Sequence, residues 1–82
     1  MSREEIIKIT NDFLVEEIEV DPGVINANAS FKDDLGIDSL DFVDIVVIVE
    51  KKFGFKIKAE EMSGVTTLGG FYDYIESKMN NR

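Results

Sequence analysis

The 82-residue chain contains no cysteine and no histidine. Without cysteine, no disulfide can brace the fold, and no protein thiol can act as nucleophile or metal ligand. Without histidine, the usual general base near neutral pH is missing. Positive charge is scarce: nine Lys and Arg stand against seventeen Asp and Glu, a formal net charge of −8. Phosphate backbones need clustered Lys and Arg, so the balance argues against nucleic acid as a partner. It argues against an anionic membrane surface for the same reason. Long apolar runs are also missing. The longest, "IVVIV" from Ile45 to Val49, is too short to cross a bilayer. The first residues, "MSREEIIKIT", carry charges where the apolar region of a secretory signal begins. A cytoplasmic, soluble protein is the expectation.

What is present fits one small domain spanning residues 1–82, with a single core and no room for a buried substrate pocket of enzyme size. At 44% apolar residues, the chain is not a disordered acidic tail. Acidic surfaces of this kind meet basic patches on other proteins and speed encounter with them.

Ser2 followed by Glu5 has the form of a capping box, and Ile6, Ile9, Phe13 and Leu14 recur at helical spacing. A first helix is expected over about residues 3–17. A connection of some twenty residues follows, which is long for a compact domain. Asp21-Pro22-Gly23 is turn chemistry, and Asn26, Asn28 and Ser30 favour loop. Val20, Val24, Ile25 and Phe31 could pin this crossover to a helical core.

The next element is contested by local propensity. "DIVVIV" is β-branched and reads as a strand that could pair with "EKKFGFKI". The helical wheel favours a helix. At about 100° per residue, Phe42, Ile45, Val46, Val49 and Phe53 share one arc. Leu40, Val43, Asp44, Val47 and Lys51 fall opposite. Asp38 suits the N-cap, with Asp41 three residues on reaching back to it. Gly54 stops the helix behind Lys51 and Lys52, which suit the negative end of its dipole. A short third helix is expected around Ala59 to Met62. Thr66 or Thr67 can cap a last helix with Leu68, Phe71, Ile75 and Met79 inward, weakened by Gly69 and Gly70. The fold class is therefore all-α: a small four-helix bundle, three main helices and one short, with a long crossover between the first two.

One serine, Ser39, stands in the stretch "DDLGIDSLDF". A Ser–His–Asp triad is ruled out by the missing histidine, and "GIDSL" is not a nucleophile elbow. A calcium loop fails because aligning Gly36 with its required glycine puts Phe31 and Leu35 at ligand positions. No metal site is expected. The carboxylates lie on a solvated helix face with nothing to raise a pKa, so catalysis by this chain alone is not expected. Two readings stay open: Ser39 helps start a helix, or it is an attachment point beside a docking surface. Exposed Leu40 and Val47 amid carboxylates favour the second.

"LGIDSLD", Leu35 to Asp41, resembles the signature of acyl carrier proteins, in which D-S-L opens the second helix. The likeness extends to the acidic first helix, "NASFKDDLG", Phe53 at the end of helix II, and "TTLGGFYDYI". It implies that Ser39, flanked by Asp38 and Leu40, carries 4′-phosphopantetheine, derived from coenzyme A, through a phosphodiester. An unactivated serine is a poor nucleophile, so an external phosphopantetheinyl transferase is implied. A phosphate at a helix N-terminus is favoured by free N–H groups and the dipole, while Asp38 and Asp41 repel it. The implied function is carriage of acyl thioesters between enzymes, not catalysis. Phe42, Ile45, Val46, Val49, Phe71 and Ile75 would line an acyl groove, or simply form core. The alternative function is an acidic helical interaction module without the arm.

The resemblance also implies recognition through helix II, by acyltransferases, ketosynthases and related synthase enzymes with basic patches. The docking residues are Leu40, Asp41, Val43, Asp44, Val47, Glu50 and Lys51. From Ser30 to Glu50 there are six acids and one lysine, a net of −5. The family usually continues with acids after Glu50, but this chain has Lys51, Lys52, Lys56 and Lys58. That departure makes a dedicated polyketide-like or specialised lipid route as plausible as general fatty-acid synthesis. A monomer is expected.

Overall fold

A computed structural model describes residues 1–80. Ser2 and Glu5 close the capping box that opens α1 (Arg3–Glu16). The Ser2 hydroxyl accepts from the Glu5 N–H at 3.2 Å, and the Glu5 carboxylate accepts from the Ser2 N–H at 3.2 Å. The buried face of α1 is Ile6, Thr10, Phe13 and Leu14; Ile9 is half-buried against the core. The helix ends by turning Glu19 into the left-handed region, φ 66°, so that the Val20 N–H reaches the Leu14 carbonyl at 2.9 Å.

The β-branched run does not become a strand. Among the described residues there is only the isolated bridge between Ser30 and Thr67, and α2 runs unbroken over Ser39–Phe53. Burial of one face overrides strand propensity here. Ile45, Val49 and Phe53 are buried as the wheel places them, with Phe42 and Val46 half-buried. The buried arc is one position wider than expected and takes in Ile48. Gly54 ends α2 at φ 82°, its N–H on the Glu50 carbonyl at 3.0 Å. A short α3 (Ala59–Met62) and then α4 (Leu68–Asn80) complete an all-α bundle. None of these helices is long and apolar enough to cross a membrane.

α1 and α4 are the most closely packed helices. Arg3 bridges them to Asp73 at 2.7 Å and Glu76 at 3.2 Å, while Tyr72 donates to Asn11. α3 is tied to α4 through Glu61, which accepts from Lys78 at 2.7 Å and from the Tyr74 hydroxyl at 2.9 Å. The Lys78 hydrogen bond first, and then that of Tyr74, holds the Glu61 carboxyl below its ordinary range.

The crossover contains a 3-10 turn, Pro22–Val24, and then docks on the start of α4. A helix N-terminus leaves N–H groups without helical partners. Here the crossover supplies them: the Ala29 carbonyl accepts from the Leu68 N–H at 2.9 Å and the Ala27 carbonyl from the Gly69 N–H at 2.8 Å. Thr67 is the cap, its hydroxyl accepting from the Gly70 N–H at 3.2 Å. Gly69 is therefore a close-approach glycine. A Cβ there would lie 2.8 Å from the Ala27 carbonyl oxygen, whereas at Gly70 it would meet nothing nearer than 3.4 Å. Val20, Ala29, Leu35 and Ile37 are buried, and Val24, Ile25 and Phe31 pack half-buried against the core.

The two adjacent glycines should respond oppositely to the same change. Gly69→Ala forces the crossover off α4 and should lower the urea unfolding free energy by about 1–3 kcal/mol. Gly70→Ala should leave it unchanged or raise it by up to about 1 kcal/mol through helix propensity. Equal losses at both positions would show that the contact at Ala27 is not the deciding one.

Candidate functional site

Leu35 and Ile37 are buried, 8% and 7% exposed, while Gly36 and Asp38 between and after them face solvent. The two buried residues anchor the segment on either side of Gly36 and deliver Ser39 to the surface. Three contacts hold the approach. The Phe31 N–H donates to the Thr66 carbonyl at 3.1 Å, and the Ile37 N–H donates to the Phe31 carbonyl at 2.8 Å. The Phe31 ring meets the Phe71 ring edge-on, with centroids 5.3 Å apart. Gly36 makes the bend at φ 68°, a conformation that disfavours side-chain-bearing residues.

At the start of α2, Asp38 does the capping. Its Oδ1 accepts from both the Leu40 and Asp41 N–H groups, each at 3.0 Å. The box expected from Asp41 does not close, since no bond returns from its half-buried side chain to Asp38 among the described residues. Ser39 is the first helical residue. It is exposed, and its hydroxyl has no hydrogen-bond partner among the described residues. The helix start therefore does not depend on the Ser39 hydroxyl. The N–H groups expected to receive a phosphate need the opposite correction: two in the first turn are already taken by Asp38, which leaves mainly the dipole.

The outward stripe is as the wheel has it. Leu40, Val43 and Val47 are 76%, 60% and 46% exposed, unusual for large apolar residues in so short a stretch. Asp44, Glu50 and Lys51 are exposed around them. On the inner side, Ile45, Val49, Phe71 and Ile75 are buried, with Phe42 and Val46 half-buried toward the surface. An open cleft of about 490 Å³ lies elsewhere, on the crossover side of Ser39. Phe31, Lys32, Gly36, Ile37, Asp38 and Ser39 line it. Sequence reasoning missed this cleft and the anchoring role of Leu35 and Ile37. The signal for the anchors was the period-2 pattern Leu35-Gly36-Ile37-Asp38 ahead of the helix.

Residues 12–75 match the family model described as Phosphopantetheine attachment site. The chain is 38% identical over 78 residues to an acyl carrier protein of Thermotoga maritima, covering 95% of this chain and 96% of that one. It is 36% identical over 78 residues to an acyl carrier protein of Prochlorococcus marinus, covering 95% and 98%.

The division of labour between neighbouring residues is measurable. Asp38→Ala should cost about 1 kcal/mol of stability, as lost N-caps do. Ser39→Ala removes a hydroxyl that bonds nothing and should fall within about 0.5 kcal/mol of wild type. Denaturant melts followed by helix signal make the comparison; a larger loss at Ser39 than at Asp38 would return Ser39 to a structural role.

Proposed function

The chain belongs to the acyl carrier protein family, and we propose that Ser39 holds its covalently attached 4′-phosphopantetheine. Members of this family are carriers, not catalysts, and the chain is an acyl carrier. The observation that carries the assignment of Ser39 is its exposed hydroxyl, free of hydrogen bonds because Asp38 does the capping. An external transferase supplies the base. The Ser39 oxygen attacks phosphorus in the coenzyme A pyrophosphate, a phosphodiester forms, and adenosine 3′,5′-bisphosphate leaves. The serine proton passes to the transferase.

The arm then carries acyl groups as thioesters, and the absence of cysteine means that no protein thiol of this chain competes for them. In this reading the single domain works as a cytoplasmic monomer. Phe42 and Val46, half-buried, form the lip through which an acyl chain enters among Ile45, Val49, Phe71 and Ile75. Acyltransferases, ketosynthases and related synthase enzymes dock on Leu40, Asp41, Val43, Asp44, Val47 and Glu50. Lys51 and Lys52 reverse the charge at the far end of α2 and favour a dedicated pathway whose enzyme offers an acid there.

Incubation with a broad-specificity phosphopantetheinyl transferase, coenzyme A and Mg²⁺ should add one arm by intact mass. Ser39→Ala should abolish the addition with helix content retained. A wild-type chain that takes no arm from any such transferase would leave the interaction-module reading in its place.

Docking has its own test. Burying Val47 against a partner is worth about 1.5 kcal/mol, so Val47→Asp should lower a partner enzyme's kcat/KM roughly tenfold without unfolding the domain. Lys51→Glu combined with Lys52→Glu should raise kcat/KM with a general fatty-acid acyltransferase and lower it with the native one. Both effects should shrink as salt rises. Equal rates for wild type and double variant would confine the lysines to the helix dipole.

A further inference from the structure

The cleft beside Ser39 is not the proposed acyl groove. None of the six groove residues lines it, and it opens on the crossover side of α2 rather than among the helices. We infer that this cleft is the resting site of the phosphopantetheine arm itself, with Lys32 facing its phosphodiester and Phe31 and Ile37 receiving its gem-dimethyl segment. The inference rests on the reading of Ser39 as the attachment residue.

Three features of the chain carry it. The first is tethering. Ser39 is itself part of the cleft wall, so a group attached there begins at the mouth, at the high effective concentration of a short linker. The cleft's volume, about 490 Å³, is of the size that takes small organic groups. Gly36 adds no side chain to it, and even a Cβ at that position would meet nothing within 4 Å.

The second is a preformed apolar wall. The Phe31 backbone is held by the Thr66 carbonyl and the Ile37 N–H, and its ring by a T-shaped contact with Phe71. Ile37 is 7% exposed and held by the same bond. A surface already ordered costs little further entropy when a ligand settles on it.

The third is charge. Lys32 is the one Lys or Arg between Lys8 and Lys51, and it lines this cleft. It makes no ion pair among the described residues. Asp38 also lines the cleft and opposes a phosphate there, its charge offset only in part by the two N–H groups on its Oδ1. Of the acids next to Lys32, Asp34 is engaged by the Ser30 N–H at 2.7 Å, and Asp33 faces solvent. Down the other side, Asp41 and Asp44 lie along α2 and repel a phosphodiester. Lys32 is thus the one cation in the cleft lining, whereas α2 offers a phosphodiester only acids before Lys51. An arm at rest there leaves Leu40, Val43 and Val47 uncovered for a partner.

The test is an isotope-filtered NMR experiment on holoprotein with a labelled arm on an unlabelled chain, its loading at Ser39 verified by mass. Expected are NOEs from the arm's gem-dimethyl protons to the Phe31 ring and the Ile37 methyls. Lys32→Glu should lower the docked-to-free ratio about two- to fivefold, the range an exposed charge contact supports. Lys32→Arg should preserve it. Lys32 is exposed, so neither variant should alter the fold. An arm that is present on Ser39 but shows no such NOEs, or shows them to Val43 and Val47 instead, overturns the resting site and leaves the carrier function intact. NOEs indifferent to Lys32→Glu overturn the role of Lys32. A mass showing no arm on Ser39 removes both this inference and the reading beneath it.

Discussion

The position of Ser39 depends on a backbone contact some distance from it: the crossover laid against the start of α4. Ala27 and Ala29 give their carbonyls to the Gly69 and Leu68 N–H groups, and Phe31 takes the Thr66 carbonyl in return. The exchange satisfies donors that a helix start otherwise leaves open. It also converts a segment of some twenty residues, costly to order, into part of the scaffold. Phe31, once fixed, holds Ile37 by a 2.8 Å bond, and Ile37 stands two residues before Ser39. A mobile loop could expose a serine equally well, but it could not present it at a constant place relative to α2. On the proposed reading, a transferase that reads both the serine and the helix would need that constancy.

On the proposed docking reading, the surface of α2 suits a carrier that meets several enzymes without staying bound to any. Leu40, Val43 and Val47 supply modest apolar area, too little for a permanent interface, and the carboxylates around them steer encounter. Lys51 and Lys52 then break the uniform sign over the last turn. They complement the helix dipole wherever they stand, so their local effect is the same in every partner complex. Their effect across an interface depends on what stands opposite, and in the proposed docking this second effect would discriminate between partners.

Much of the fold was legible because it is built from local rules. Ser2 with Glu5, Asp38, Gly54 and Thr67 each end or begin a helix where cap chemistry requires it. The helix over the β-branched run is legible only through the wheel, whose apolar arc is one residue narrower than the buried face and leaves out Ile48. What was not legible is what has no side-chain period. Gly69 reads from sequence as a weakness in α4, and only the 2.8 Å approach of Ala27 explains why no larger residue stands there. The cleft beside Ser39 was invisible for the same reason, since Phe31 and Lys32 reach it from a loop with no repeating pattern. The serine proposed as the attachment residue stands out by its motif. That its hydroxyl is free of hydrogen bonds was not legible, because either of two adjacent polar residues could have served as the cap.

That last ambiguity bears on how the chain divides its work. A serine that capped α2 would have its oxygen engaged by backbone N–H groups, and modification would then compete with the helix start. Placing the cap on Asp38 separates the two tasks by one residue, so an arm on Ser39, as proposed, would leave the cap hydrogen bonds in place. The same separation runs through the composition. With neither histidine nor cysteine, the chain holds no general base of the usual kind and no thiol of its own. Its reactive group arrives with the arm, and its chemistry arrives with each partner. What remains for the 82 residues, on the proposed reading, is to keep one hydroxyl accessible, one helix face exposed and one core closed.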